Sequence, residues 1–442
     1  MGNLYWRGDN HVQDEQDKNP LPYAYIYPHV IRSLFFQLWG KRRLLFGFVY
    51  YFYKRGIFFK TSMSGDGPPL NLALMYYPID DNLRRYLINY GAFTRAPADS
   101  FNDVKVSDGY ALCRYPPEYQ VTDYLYARSN VDFQEYLPAI STYIGFVAVS
   151  SDQGKLVLGR RDIIVCWRGT TLPIEWFQDI LCDQVPATDI FPDSKALVHY
   201  GFYNMYTAKD STTTYNKMSV REQVLAAVRR LVDKYYKADP NEVVSITVIG
   251  HSLGAALATL NAVDRVANGY NKPTGSTTEY SVASFVFASP RVGDKGFLDV
   301  FSGLKNLHLL RIRNAQDFIP DLPPKEILGY SYADVGAELD IDTSLSPYIK
   351  KATFMEPHDL NLYCHGISGY QGKDRKFKLA VDFDLALVNK YNDLLLDDCK
   401  VPPKWWSNVM NKGMAQMDDG SWKLHDYVPD PPSDDVSENG TK

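Results

Sequence analysis

Hydrophobic and polar positions follow two rhythms along this chain. Asp81–Gly91 places Leu83, Tyr86, Leu87 and Tyr90 on one face at helical spacing. Tyr143–Ser150 and Asp162–Trp167 are runs rich in β-branched and aromatic residues, and the polar stretch around Asp152–Gly154 predicts a turn between two strands. Residues 218–237 form the clearest helix: Ser219 and Glu222 make a capping box, and Val224, Val228, Leu231 and Tyr235 recur on one side. Val243–Ile249 is a mainly apolar run with polar flanks, and Ala283–Ala288 and Leu307–Ile312 repeat the pattern. A strand without in–out alternation is buried on both faces, as in a parallel sheet. Helices interleaved with such strands predict an α/β fold: a mostly parallel sheet with helices on both faces.

The two ends differ from this middle. Residues 1–20 are polar. Residues 21–60 hold two aromatic-aliphatic runs, Ser33–Gly40 and Leu44–Tyr53, split by Lys41, Arg42 and Arg43 and closed by Lys54 and Arg55. Bulky apolar residues interleaved with cations suit a peripheral contact with a membrane interface; a helix packed on the main domain is the plainer reading. Gly65, Gly67, Pro68 and Pro69 mark a linker. The expected organisation is an N-terminal extension over residues 1–70, a globular domain over 71–427, and an acidic tail over 428–442 too poor in apolar residues to fold.

Composition narrows the classes. The chain has 442 residues, 45% of them hydrophobic and 22% charged, so a large core can be buried. A net charge of −5 argues against nucleic acid as a partner. The five cysteines, Cys113, Cys166, Cys182, Cys364 and Cys399, are odd in number, widely spaced and free of C-x-x-C pairs. That excludes a disulfide framework and a zinc site, and fits the reducing cytoplasm. The acidic, polar start argues against a signal or transit peptide, and no run of about 18 apolar residues predicts a spanning helix.

The candidate chemistry begins after the Val243–Ile249 run, where residues 250–254 read Gly-His-Ser-Leu-Gly and Ala255–Ala262 continues as a predicted helix. Strand, sharp turn and helix put Ser252 at the apex of a nucleophile elbow, with glycines on either side where side chains would collide. The helix start turns backbone N–H groups, beginning with that of Leu253, toward a developing oxyanion. The structural alternative is a serine helix cap in a sheet without this chemistry. A serine hydroxyl needs a base, and the base an orienting acid, in the chain order serine, acid, histidine for this fold. Of His308, His358, His365 and His425, the first lies in a predicted buried strand and the last in a polar region, which leaves His358 and His365. Asp317 follows the Leu307–Ile312 strand on the same sheet edge as the elbow, with Asp321 as its rival.

These residues resemble the class 3 lipases of the α/β-hydrolase fold, and most closely the plant phospholipases of A1 type. The matching stretches include Trp167-Arg168-Gly169-Thr170, Gly250–Ala258, Phe287–Gly293, Asp317–Pro320, His358-Asp359-Leu360 and Pro402-Pro403-x-Trp405, within residues 75–425. The resemblance implies Ser252 as nucleophile, Asp317 as acid and His358 rather than His365 as base. It also implies Thr170 as oxyanion donor beside Leu253, where an ordinary strand-to-loop turn is the alternative, and a lid carrying Leu172, Ile174, Trp176 and Phe177. The implied reaction is serine acyl hydrolysis at the sn-1 ester of a glycerophospholipid on a lipid surface, without metal or cofactor. A triacylglycerol or galactolipid lipase, and a lipase-like signalling scaffold without activity, are the alternatives.

Overall fold

The fold is built on a seven-stranded sheet whose strands run β1 (Tyr119–Ser129), β2 (Ile140–Ser150), β3 (Arg161–Trp167), β4 (Val244–His251), β5 (Val282–Phe287), β6 (Leu307–Asn314) and β7 (Ala337–Ile341), side by side in chain order. This computed structural model describes residues 78–99, 119–129, 140–169, 183–406, 412–417 and 421–425. All of them fall in one compact unit, Gly67–Lys442. The extension over 1–70 with its basic-aromatic segment 21–60, and the tail over 428–442, lie outside the described residues, as do Cys113 and Cys182. Strands β3 to β7 are parallel, and β2 and β1 add an antiparallel edge.

Burial on both faces explains the sequence pattern. All seven residues of β3 are buried. Ile163, Val165 and Trp167 face one core, packed by helices α3 (Tyr200–Thr207), α4 (Val220–Ala238), α5 (Leu253–Ala267) and α6 (Lys295–Ser302). Ile164 and Cys166 face the other, where α1 (Asp81–Asp99) lies through Tyr90 and Phe93. Helix α7 (Leu360–Gly369) joins α1 over β6 and β7. Helices therefore cover both faces, as the rhythm of the sequence predicts. Arg84, fully buried, ties α1 to the end of α7 by donating to the carbonyls of Ile367 and Tyr370 as well as to Ile79.

Three local expectations change. The stretch after β2 is not a turn but a short helix, α2 (Asp152–Leu158), capped by the Ser151 hydroxyl and closed by Gly159 at φ 70°. Helix α1 continues past Gly91 to Asp99, and that glycine is a close-packing site: a Cβ there would lie 2.5 Å from Cys364 Sγ. His308 is exposed rather than buried, at the start of β6 and the opposite end from Asn314. The capping box at Ser219 and Glu222 forms as predicted. Among the described residues no helix is long and apolar enough to cross a membrane, no metal-binding cluster occurs, and Cys166, Cys364 and Cys399 are free thiols.

Candidate active site

The turn from β4 into α5 carries Ser252 at φ 58°, ψ −124°, a left-handed conformation for a residue with a Cβ. Such backbone costs about 1–3 kcal/mol and persists only where its surroundings impose it. Here the glycines impose it. A Cβ on Gly250 would overlap the backbone of Gly254, and one on Gly254 would run into the carbonyls of Trp167 and Arg168. Strand β4, helix α5 and the end of β3 thus meet closer than any larger residue allows. Ser252 is almost fully buried at the start of α5, and the Leu253 N–H beside it has no carbonyl four residues back to bond.

The candidate acid stands past the end of β6. Asp317 is buried, and its Oδ2 accepts from His358 Nδ1 at 2.7 Å and from the Tyr363 hydroxyl at 2.7 Å. Its Oδ1 accepts from the Ile319 N–H at 3.0 Å. With Nδ1 turned to the carboxylate, the other nitrogen of His358, Nε2, is buried and makes no hydrogen bond, including with Ser252. Contacts of this kind are often loose until substrate binds. His251, next to Ser252, places its ring 4.7 Å from that of His358, centroid to centroid, and bonds the His358 carbonyl. The base segment is therefore held against the elbow.

Two further residues hold Asp317 and the His358 segment, and sequence reasoning missed both. Tyr363 lies on α7, and its hydroxyl also accepts the Asn314 N–H at 3.1 Å. Burial, and then the Asp317 charge, push its phenol well above the usual range, so it stays a donor. Asn314, at the end of β6, donates through Nδ2 to Pro357 O at 3.0 Å and to Thr343 Oγ1 at 2.9 Å. An aromatic in a buried helix and an amide at a strand end look like packing and capping in sequence.

The rivals fall elsewhere. Asp321 pairs with Arg313 at 2.8 Å and stays half exposed. His365 is buried among Tyr348, Phe377 and Phe383, bonded to Ser346 Oγ at 2.8 Å, and burial holds its imidazole down to about 3. His425 is exposed. Thr170 and the lid residues Leu172, Ile174, Trp176 and Phe177 lie outside the described residues. Gly169, one residue before Thr170, packs on the elbow: a Cβ there would lie 3.7 Å from Ser252 Cβ.

Residues 164–327 match the family Lipase (class 3). Phospholipase A1-IIgamma of Arabidopsis thaliana is 42% identical over 388 residues, covering 80% of this chain and 90% of its own. Phospholipase A1-II 2 of Oryza sativa subsp. indica is 42% identical over 386 residues, covering 80% and 93%. The chain belongs to the class 3 lipases. Among solved structures, a lipase from Rhizopus microsporus var. chinensis aligns over 65% of this chain and 86% of its own, at 21% identity and a TM-score of 0.41. The identity with the plant relatives runs over four-fifths of this lipase. The fold is the α/β-hydrolase arrangement: a mostly parallel sheet, helices on both faces, and a serine elbow after a central strand.

Proposed function

We propose that this class 3 lipase is a phospholipase of A1 type, cleaving the sn-1 acyl ester of glycerophospholipids through Ser252, His358 and Asp317. The observation that carries the reading is the buried Asp317–His358 pair presenting a free Nε2 beside a strained serine elbow. The names of the relatives support the substrate class.

In the proposed reaction each residue has one part. His358 Nε2 takes the Ser252 proton as Oγ attacks the ester carbonyl. Asp317 fixes the tautomer through Nδ1 and stabilises the imidazolium. The Leu253 N–H, with Thr170 as second donor, receives the oxyanion. Collapse of the tetrahedral intermediate breaks the bond to the leaving alcohol, which takes the proton from His358, and leaves the acyl group on Ser252. Water, deprotonated by His358, then releases the fatty acid and restores the serine. None of these steps calls on a metal or organic cofactor. A lid formed by Leu172, Ile174, Trp176 and Phe177, and contact of residues 21–60 with the lipid surface, belong to the same proposal. So does a cytoplasmic setting, supported by the free thiols of Cys166 and Cys364.

The test is hydrolysis of a phospholipid, triacylglycerol and galactolipid panel, with positional analysis of the released acid, by the parent and Ser252→Ala. Release of the sn-1 chain from phospholipid by the parent, abolished in the variant, is expected. A variant as active as the parent refutes the assignment of Ser252, and preferential cleavage of triacylglycerol or galactolipid refutes the substrate class.

A further inference from the structure

Two consecutive carbonyls in the base segment are each gripped by a side chain from a different strand end. Asn314, closing β6, donates to Pro357 O at 3.0 Å. His251, closing β4 and adjoining Ser252, meets His358 O through Nε2 at 2.8 Å. A carbonyl can only accept, so His251 carries its proton on Nε2. The His251 ring thus links the backbone of the base to the residue beside the nucleophile, touching no reacting atom.

Asp317 holds one edge of the His358 ring, but one hydrogen bond leaves the ring free to swing about that contact. Nε2 must nevertheless meet Ser252 Oγ while it accepts a proton. Building on the proposed serine mechanism, we propose that His251 is a positioning residue: its Nε2–H anchors the His358 backbone so that the imidazole stays in line with the serine. The environment keeps His251 neutral, as the role needs. Desolvation, then His358, then the Arg95 guanidinium hold its imidazole well below the usual range. His251 is only partly buried, so the Arg95 guanidinium matters as well as desolvation. A cationic ring at 251 would repel the imidazolium that forms on His358. On its other sides His251 meets the Gly169 backbone and the edge of Tyr363, at 6.3 Å between centroids.

Two amides separate this role from mere filling of space. In His251→Gln the side-chain NH2 reaches near the lost Nε2; in His251→Asn the same group stops a methylene short. A misplacement of about 1 Å can cost about 100-fold in rate. On a soluble short-chain ester, His251→Asn is therefore expected to lose about 10- to 100-fold in kcat with KM within about twofold, and the rate at which a fluorophosphonate labels Ser252 to fall in parallel. His251→Gln is expected to stay within about fivefold of the parent in both readouts. A folded His251→Asn with parental kcat overturns the inference, as does a change confined to KM. Equal losses in the two folded variants overturn it too, since the retained donor then does nothing. Should His251→Asn not fold, His251→Gln decides: a folded protein within about fivefold of the parent supports the role, and a larger loss refutes it. Ser252→Ala assayed alongside keeps the two readings apart. Its full activity would bring down the serine mechanism, whereas its inactivity beside an unimpaired His251→Asn brings down only the role of His251.

Discussion

Removing one oxygen atom from Tyr363 tests how the acid is held. Tyr363→Phe keeps the ring, buried against β6 and α1, and deletes a hydroxyl with two partners. Asp317 Oδ2 loses a donor at 2.7 Å, a bond to a charged acceptor of the kind that contributes about 1.5–3 kcal/mol. The Asn314 N–H loses its acceptor at 3.1 Å, and a buried donor left unpaired costs about 1–3 kcal/mol. The two losses share one oxygen and are not additive, so the expected destabilisation is about 2–4 kcal/mol, a large part of the roughly 5–15 kcal/mol typical of a folded protein. Catalysis should suffer less. Asp317 keeps His358 Nδ1 and the Ile319 N–H, and its charge is then shared among fewer donors, which strengthens rather than weakens its hold on the imidazolium. The kcat on a soluble ester should fall by less than about tenfold. Denaturant unfolding of parent and variant, with kcat measured on both, checks each half. A stability loss below about 0.5 kcal/mol would mean that the hydroxyl does not satisfy the two groups assigned to it. A loss in kcat as large as that of Asp317→Asn would mean that the hydroxyl belongs to the chemistry.

Other outcomes follow from the same contacts. Asp317→Asn should lower kcat by about 10³–10⁴-fold by losing the tautomer control, while Asp321→Asn, whose carboxylate meets Arg313 and Arg291 instead, should leave kcat near parental in ester-hydrolysis assays. Gly254→Ala should abolish Ser252 labelling or prevent folding, because its Cβ would sit on the carbonyls of Trp167 and Arg168; labelling at the parental rate would contradict the close packing at the elbow. His365 gives a pH signature. Its folded imidazole sits at about 3, below the unfolded value, so it is indifferent to pH while both forms are neutral. As pH falls below about 6.5 the unfolded chain takes the proton first, and stability declines by about 1.4 kcal/mol per pH unit until the folded ring also titrates. His365→Gln should flatten the stability curve between about pH 6.5 and 4 and leave the part contributed by His251, whose folded value is also depressed; an unchanged slope in urea melts would contradict this.

The elbow was legible because two constraints coincide there. A strand buried on both faces reads as a mainly apolar run, and the packing of β4 against α5 permits only glycine at 250 and 254. Position beyond a strand end made Asp317 a candidate beside Asp321, and only the fold turns the first toward His358 and the second toward Arg313. His358 needed a family resemblance, because His358 and His365 share one short segment and only the fold turns the first toward Asp317 and the second into an aromatic cluster. Tyr363 and Asn314 were not legible, since their roles depend on long-range contacts that leave no periodic mark. The predicted burial of His308 failed for a related reason: periodicity identifies a strand but not where its helical cover stops.

Burial of a carboxylate does not by itself mark chemistry in this molecule. Asp162, at the amino end of β3, is as deeply buried as Asp317 and accepts from the hydroxyls of Tyr90, Tyr119, Ser245 and Thr247. Its four partners keep their protons at neutral pH, two of them phenols pushed upward first by burial and then by Asp162 itself. That site joins α1, β1, β3 and β4, and Arg160 donates to two of its hydroxyls, those of Tyr90 and Ser245. Asp317 is likewise saturated, but one of its donors is an imidazole whose far nitrogen has no partner. The difference lies in that exit: a proton accepted at Nε2 can be stabilised through the ring by Asp317, whereas a hydroxyl bound to Asp162 offers no second basic atom. The carboxyl end of the sheet, where β3, β4 and β6 finish together, is where such an exit can meet a nucleophile, and Ser252 stands at that end.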